Sequence, residues 1–342
     1  MNLKDLAASL GLSQTTVSRA LNGYPEVSEA TRKRVVEAAR RHGYHPDSRA
    51  RSLATGKAMA VGLILPQTAK QEIVNPVFTD FVAGASETLA ERGYDIVLSI
   101  VADADQSAVY RSFAAKGRVD GVIMQAPLTG DLRIAMLKQL GLPFVVHGRV
   151  SDHDDEYSWM DIDNRHAFYR ATAHLLDLGH RRIALLNGLE AMDFAHRRRH
   201  GFLDALKERG VRASPDLMAS AAMTEGYGYA EASRMLCLPD PPTAFLVSSM
   251  MIALGADRAI RAAGLTVGRD VSLVTHDDAL SYLSNDTDGI PIFTATQSSV
   301  REAGHICANI LLKLIDEPDA APVQTKLEAS LIIGPSSGPA PN

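Results

Sequence analysis

The chain has 342 residues, 46% hydrophobic and 22% charged, an ordinary globular composition with room for more than one domain. A net charge of −5 excludes a chain that grips nucleic acid along its whole length, and two cysteines without motif spacing, Cys237 and Cys307, exclude a disulfide framework and a CxxC site. No apolar run reaches the roughly 18 residues of a membrane span, and Lys4 and Asp5 stand where a leader peptide would be apolar, so a soluble cytosolic protein with no membrane partner is expected.

The charge is uneven. Residues 1–58 carry ten Lys/Arg against five Asp/Glu, while the remainder carries 25 against 35. A basic head on an acidic body suggests two tasks on two domains. In the head, Leu3, Leu6, Ala7 and Leu10 recur at helical spacing behind an N-cap at Asn2, and Gly11 ends that helix. Ser13 caps a second helix whose stripe is Val17, Ala20 and Leu21, and Asn22-Gly23 closes it. A third helix starts near Ser28 and turns Val35, Val36 and Ala39 inward. Two short helices around a glycine turn, packed by a third, match a helix-turn-helix. The second helix then presents Gln14, Thr15, Ser18 and Arg19 outward, side chains suited to base edges. Spacing alone leaves an ordinary three-helix bundle with a solvated face equally open.

The stretch LKDLAASLGLSQTTVSRALNGYPEVSEATRKRVVEAARRHGYHPDSRARSLATG resembles the DNA-binding head of the lactose-repressor (LacI/GalR) family, through its VSRALN core, VSEATRKRV third helix, GYHP boundary and ARSLA hinge. The likeness continues over almost the whole chain. It implies that Gln14, Thr15 and Arg19 read the major groove. Thr16, Ser18 and Asn22, with the Arg32/Lys33/Arg34 cluster, would mostly touch phosphates. It also implies a hinge helix over residues 47–57, with Arg51 basic beside the DNA and Leu53 wedged into the minor groove at the operator centre. The expected division is a helix-turn-helix domain at 1–46, this hinge at 47–57, and an effector-binding and dimerisation domain at 58–342.

From residue 59 the pattern changes to α/β. MAVGLILP, YDIVLSIV, VDGVIMQ and LPFVVHG read as buried strands, with helices near 77–92, 105–117 and 130–140 between them. RRIALLNG, PTAFLVSS and DVSLVTH form a second series, with helices near 164–178, 197–209, 227–237 and 251–263. The fold class is therefore an all-α head followed by two doubly wound parallel-sheet lobes, and the resemblance adds that this body has the periplasmic-binding-protein fold. The chain is expected to cross between lobes near 162, 290 and 321, giving lobe 1 as about 58–162 and 291–320 and lobe 2 as about 163–290 and 321–335. The tail GPSSGPAPN has no leucine heptad, so a homodimer rather than a tetramer is expected.

Ligands of doubly wound sheets meet the carboxyl ends of the strands. Those ends supply Gln67, Asn75 and Phe78, then Gln125, His147 and Arg149, then Asp277 and Gln297. Amide, carboxylate and guanidinium groups beside an aromatic ring suit a polyhydroxyl ligand. For each residue a helix cap, a solvated loop group or a core position is the competing explanation. The resemblance implies effector contacts from Arg198, Asp277 and Ser249. It also shows two departures: Gly148 stands where an aspartate is usual, and Met223 where an aromatic platform is usual. The densest basic run, AHRRRHGF at 195–202, is expected to open a helix, with Arg198 on the inward stripe and Arg197 on the wet side near Asp204 and Glu208.

No enzyme constellation emerges. The pairs Asp161/Asp163 and Asp277/Asp278 do not converge as acid and base, GxSxG, Walker A and HExxH patterns are missing, and His196/His200 lack an intervening acid. No cofactor and no metal are expected. The reading is a DNA-binding regulator, with double-stranded operator DNA and a small sugar as partners. By family analogy it is a repressor released by an α-glucoside or other disaccharide. A corepressor-dependent regulator, or a sugar-binding or sugar-modifying α/β protein with an accessory head, are the alternatives.

Overall fold

The computed structural model describes residues 2–21, 24–44, 56–66, 75–102, 105–151 and 156–341. They divide into two compact units, Met1–Met59 and Ala60–Asn342. Asn22, Gln67, Arg51 and Leu53, and with the last two the hinge reading, lie outside the described residues.

The first unit holds α1 (Leu3–Leu10), α2 (Gln14–Leu21) and α3 (Glu29–Arg41). Asn2 and Asp5 form a reciprocal capping box on α1, Gly11 ends it in the left-handed region, and Ser28 caps α3. Leu6, Ala7, Val17, Ala20 and Val35 close a small core. The Arg34 guanidinium donates to the Leu10 carbonyl at 3.1 Å, satisfying a carbonyl at the end of α1.

In the second unit, one sheet contains β1 (Ala60–Pro66), β2 (Asp95–Val101), β3 (Gly121–Gln125), β4 (Phe144–His147), β5 (Trp159–Ile162) and β13 (Gln324–Leu327), ordered β13-β5-β4-β3-β1-β2. The other contains β6 (Ile183–Asn187), β7 (Met218–Ser220), β8 (Ala244–Val247), β9 (Ser272–Asp277), β12 (Thr294–Gln297) and β14 (Ser330–Ile332), ordered β14-β12-β9-β8-β6-β7. All pairings are parallel except β12 with β14. The central strands are buried along their length, as parallel strands covered on both faces must be. A small hairpin, β10 (Asp286–Thr287) with β11 (Ile290–Pro291), stands apart.

Helices α4 (Pro76–Glu91), α5 (Gln106–Lys116), α6 (Arg133–Leu140) and α11 (Val300–Asp316) belong to lobe 1. Lobe 2 has α7 (Asn164–Asp177), α8 (Asp193–Glu208), α9 (Glu225–Leu236) and α10 (Met250–Ala262). The pairs α4/α11 and α7/α8 cross at glycines: a Cβ on Gly304 would come 2.2 Å from the Phe81 carbonyl, and one on Gly201 2.0 Å from that of Arg165. Backbones this close leave no space for any side chain.

The first crossing between lobes follows Ile162, but the other two fall later than the sequence suggested. Strand β12 is in register with β9, Gln297 opposite Asp277, so it closes lobe 2 and the chain crosses at 298–299, not near 290. Residues 324–327 pair with β5, Leu327 opposite Ile162, so the last crossing is at 328–329, not near 321. Strand partnership decides lobe membership here, and apolar patterning does not report it.

Candidate functional site

On α2, Val17 and Ala20 face the core. Gln14, Thr15 and Arg19 are exposed, and Thr16 and Ser18 are half-buried. Thr16 is part of the helix start, its amide donating to Ser13 Oγ at 3.0 Å with the two hydroxyls 2.8 Å apart. Arg32 donates to the Tyr24 carbonyl at 3.0 Å, so it and Arg34 brace the head, while Lys33 is exposed. The face of α2 left free of packing carries an amide, a hydroxyl and a guanidinium.

Between the lobes lies a cavity of about 140 Å³. Lobe 1 supplies Asn75, Phe78, Gln125, His147 and Asp161, and lobe 2 supplies Asn164, Phe194, Arg198, Ser248 and Asp278. All but Arg198, which sits a turn inside α8, come from the carboxyl end of a strand or the helix start that follows it.

Arg198 is the most constrained of these groups. Its Nε donates to Asn164 Oδ1 and its Nη1 to the Ser248 carbonyl, both at 2.7 Å. Phe168 and Phe194 each lie 5.0 Å from its guanidinium carbon. Burial pushes its pKa down to about 10, so the group stays charged at neutral pH. Asp278 is the cavity's counter-charge. Burial raises its pKa, but His276 and Arg198 outweigh burial and hold it below the ordinary value. The two histidines are neutral because they are buried: His147 is pushed down to about 4, and His276 is lowered by burial and by Arg198. His147 stacks on Phe81 at 4.4 Å and sets its Nδ1 3.3 Å from Gln125 Oε1, which leaves Gln125 Nε2 buried without a protein acceptor. Asp161 is already engaged by Arg197 and Arg149.

Of the residues expected here, Asn75, Phe78, Gln125, His147 and Arg198 line the cavity. Four others do not. Asp277 turns to the Ala279 amide at 2.9 Å and to Gln297 Nε2 at 2.7 Å, so those two satisfy each other across the sheet and Asp278 faces the cavity instead. Ser249 caps α10 through the Ile252 amide, and its neighbour Ser248 lines the cavity. Arg149 lies over the Trp159 ring and pairs with Asp161 at 3.2 Å, outside the lining. Asn75 does cap α4, its Oδ1 accepting from Val77 at 3.1 Å, while also facing the cavity.

The basic run also differs from expectation. The helix begins at Asp193, so the arginines sit a turn inside it, and Arg197 is buried between Asp161 and Asp193. Asp204 and Glu208 pair instead with Arg165 and Tyr169. Asp161, Asn164, Phe194, His276 and Asp278 also line the cavity, although no motif in the sequence marks them. The only signal for them was nearness to a strand end.

Residues 2–47 match the family model of bacterial regulatory proteins of the lacI family, and residues 58–333 match that of periplasmic binding proteins and the sugar-binding domain of the LacI family. The chain belongs to the LacI family. Among its relatives is the HTH-type transcriptional regulator AglR of Rhizobium meliloti (strain 1021), 47% identical over 342 residues, covering 100% of this chain and 96% of the relative. The solved complex of the transcriptional regulator CelR with cellobiose superposes with a TM-score of 0.72 at 29% identity, covering 98% and 99% of the two chains. The lac repressor dimer bound to operator and the anti-inducer ONPF superposes with a TM-score of 0.81 at 26% identity, covering 99% of each. The protein is thus a LacI-family helix-turn-helix transcriptional regulator, its DNA-binding head followed in the chain by two α/β lobes. Among the described residues no helix is long and apolar enough to cross a membrane.

Proposed function

We propose that this LacI-family chain is a homodimeric repressor that leaves a near-palindromic operator when a small neutral sugar occupies the interlobe cavity. A disaccharide of the α-glucoside class is the first candidate. The observation that carries the reading is the cavity's charge balance. Arg198 is matched by Asp278, Asp161 is spent on two arginines, and both histidines are neutral. Among the described lining residues no surplus cation remains for a phosphate or carboxylate ligand. Amide, hydroxyl and ring surfaces remain, and these suit a ligand whose hydroxyls both donate and accept. Arg198, Asp278 and Gln125 would fix the hydroxyls, and Phe78 and Phe194 would meet the apolar ring faces. The cellobiose held by CelR supports a disaccharide.

On the head, Gln14, Thr15 and Arg19 would read base edges in one half-site, and Asn22, Arg51 and Leu53 would serve phosphate, hinge and minor-groove roles as in the family. Apolar Leu98 and Ile100 on edge strand β2, with Leu254 and Tyr282 on lobe 2, are exposed and suit a second copy, and the lac repressor relative is solved as a dimer. Of the described carboxylates in the lining, Asp161 is held by two arginines and Asp278 lies beside His276 and Arg198, so both are engaged as counter-charges.

The test is a thermal-shift screen of maltose, sucrose, trehalose and cellobiose against glucose 6-phosphate. A gel assay follows, on a duplex that the protein selects from a random pool. A neutral sugar that both stabilises the protein and releases the duplex supports the reading. Tightening of the duplex would reverse the sign to corepression, and stabilisation by the sugar phosphate alone would overturn the neutral-ligand argument.

A further inference from the structure

The two lobes grip each other twice, in the same way. On one rim, Asp193 at the start of α8 accepts from both the amide and the hydroxyl of Ser151 in lobe 1, at 2.8 and 2.9 Å. On the other, Asp80 in α4 accepts from both the amide and the hydroxyl of Ser281 in lobe 2, at 2.8 and 2.7 Å. The positions are topologically equivalent. α4 follows the first strand of its lobe as α8 follows the first strand of the other, and Ser151 and Ser281 both follow the fourth strand. An arginine braces each carboxylate: Arg197 Nε lies 2.7 Å from Asp193, and Arg301 Nη1 lies 3.0 Å from Asp80. The aspartates are both almost wholly buried.

We propose that Asp193–Ser151 and Asp80–Ser281 are twin clasps that hold the lobes closed without any effector, and that Arg197 is a positioning residue joining the first clasp to the cavity wall. Each buried carboxylate keeps its arginine within its own lobe but gains the serine amide and hydroxyl only when the lobes meet, so opening a rim leaves that charge short of two donors. The first clasp has further support on its rim. The Asp193 amide donates to the Pro127 carbonyl at 2.9 Å, and the Thr129 amide to that of Ala191 at 3.0 Å, tying lobe 2 to lobe 1. Arg197 spans Asp193 and Asp161, and Asp161 lines the cavity, so whatever disturbs Asp161 is felt at the clasp. The link from cavity to clasp deepens the sugar-response reading; closure without effector stands apart from it.

The test is backbone hydrogen exchange on the full-length protein with no sugar present, following the peptides that contain Ser151 and Ser281. In wild type both amides exchange at least tenfold more slowly than an unprotected loop. Asp193→Asn speeds Ser151 at least tenfold and leaves Ser281 unchanged, Asp80→Asn does the converse, and Arg197→Met speeds Ser151 alone. Should the buried-aspartate variants fail to fold, Ser151→Ala and Ser281→Ala keep every charge, and each accelerates exchange at its own rim only. Exchange of both serine amides at the unprotected rate in wild type, or equal acceleration at both rims by each variant, overturns the clasps. Slow exchange combined with no sugar response in the gel assay would sink the proposed function and leave the clasps intact.

Discussion

Asp277 and Asp278 are consecutive, yet Asp277 bonds Gln297 across the sheet and Asp278 faces the interlobe cavity beside His276 and Arg198. Successive side chains of a strand point to opposite sides, so one position separates a carboxylate tied within the sheet from a cavity-facing one. Asp278→Asn is expected to weaken sugar binding by roughly 10- to 100-fold, the worth of about 1.5–3 kcal/mol for hydrogen bonds to a charged acceptor. Asp277→Asn should change affinity less than threefold. Calorimetric titration of both variants decides it, and the reverse ranking would place the wrong aspartate in the site.

Arg198→Met removes a guanidinium that both lines the cavity and holds Asn164 and Ser248 in place. The expected result is loss of sugar-driven release while operator affinity in the absence of sugar stays within about threefold of wild type. A direct fall in operator affinity, with sugar binding retained, would contradict the assignment.

Gly201 lets α8 lie against α7, and an added Cβ would come 2.0 Å from the Arg165 carbonyl. Gly201→Ala should therefore cost about 1–3 kcal/mol in denaturant unfolding, the usual range for overpacking. Arg198 lies one turn earlier on the same helix, so sugar affinity should fall as well. Wild-type stability in this variant would show that the two helices separate without strain.

Stability should also fall in mildly acidic solution. His147 is lowered from its ordinary 6.5 to about 4 by burial, so below pH 6.5 the unfolded chain takes up a proton that the folded chain refuses. The contribution is complete above pH 6.5, declines as pH falls towards 4, and amounts to at most about 3.5 kcal/mol at ~1.4 kcal/mol per unit. His276 acts in the same direction. Unfolding midpoints measured from pH 7.5 to 4.5 should drop less steeply in His147→Gln than in wild type. Parallel curves would mean that His147 titrates freely in the folded protein.

The head was the most legible part of the sequence because local rules determine it. Helical spacing, an Asn2 cap, a Gly11 stop and a Ser28 cap all act within a few residues. The alternation of strands and helices in the body was legible for the same reason. What sequence could not show was partnership at a distance. Whether β12 joins β9, or residues 324–327 join β5, depends on register between segments far apart. The cavity followed the same division. Strand ends could be found, but which of two neighbours faces inward could not, so Ser249 and Asp277 each fell one place from the lining residue. Arg197 was misplaced on the wet side because its partner Asp161 stands 36 positions away in the other lobe.

The most direct test of the account is operator release by sugar in wild type and Arg198→Met side by side, on a duplex selected by the wild-type protein. A neutral disaccharide should lower wild-type affinity for the duplex at least tenfold and leave Arg198→Met bound. If neither maltose, sucrose, trehalose nor cellobiose changes wild-type affinity, or if the variant is released as readily as wild type, the interlobe cavity is not the sugar-sensing site.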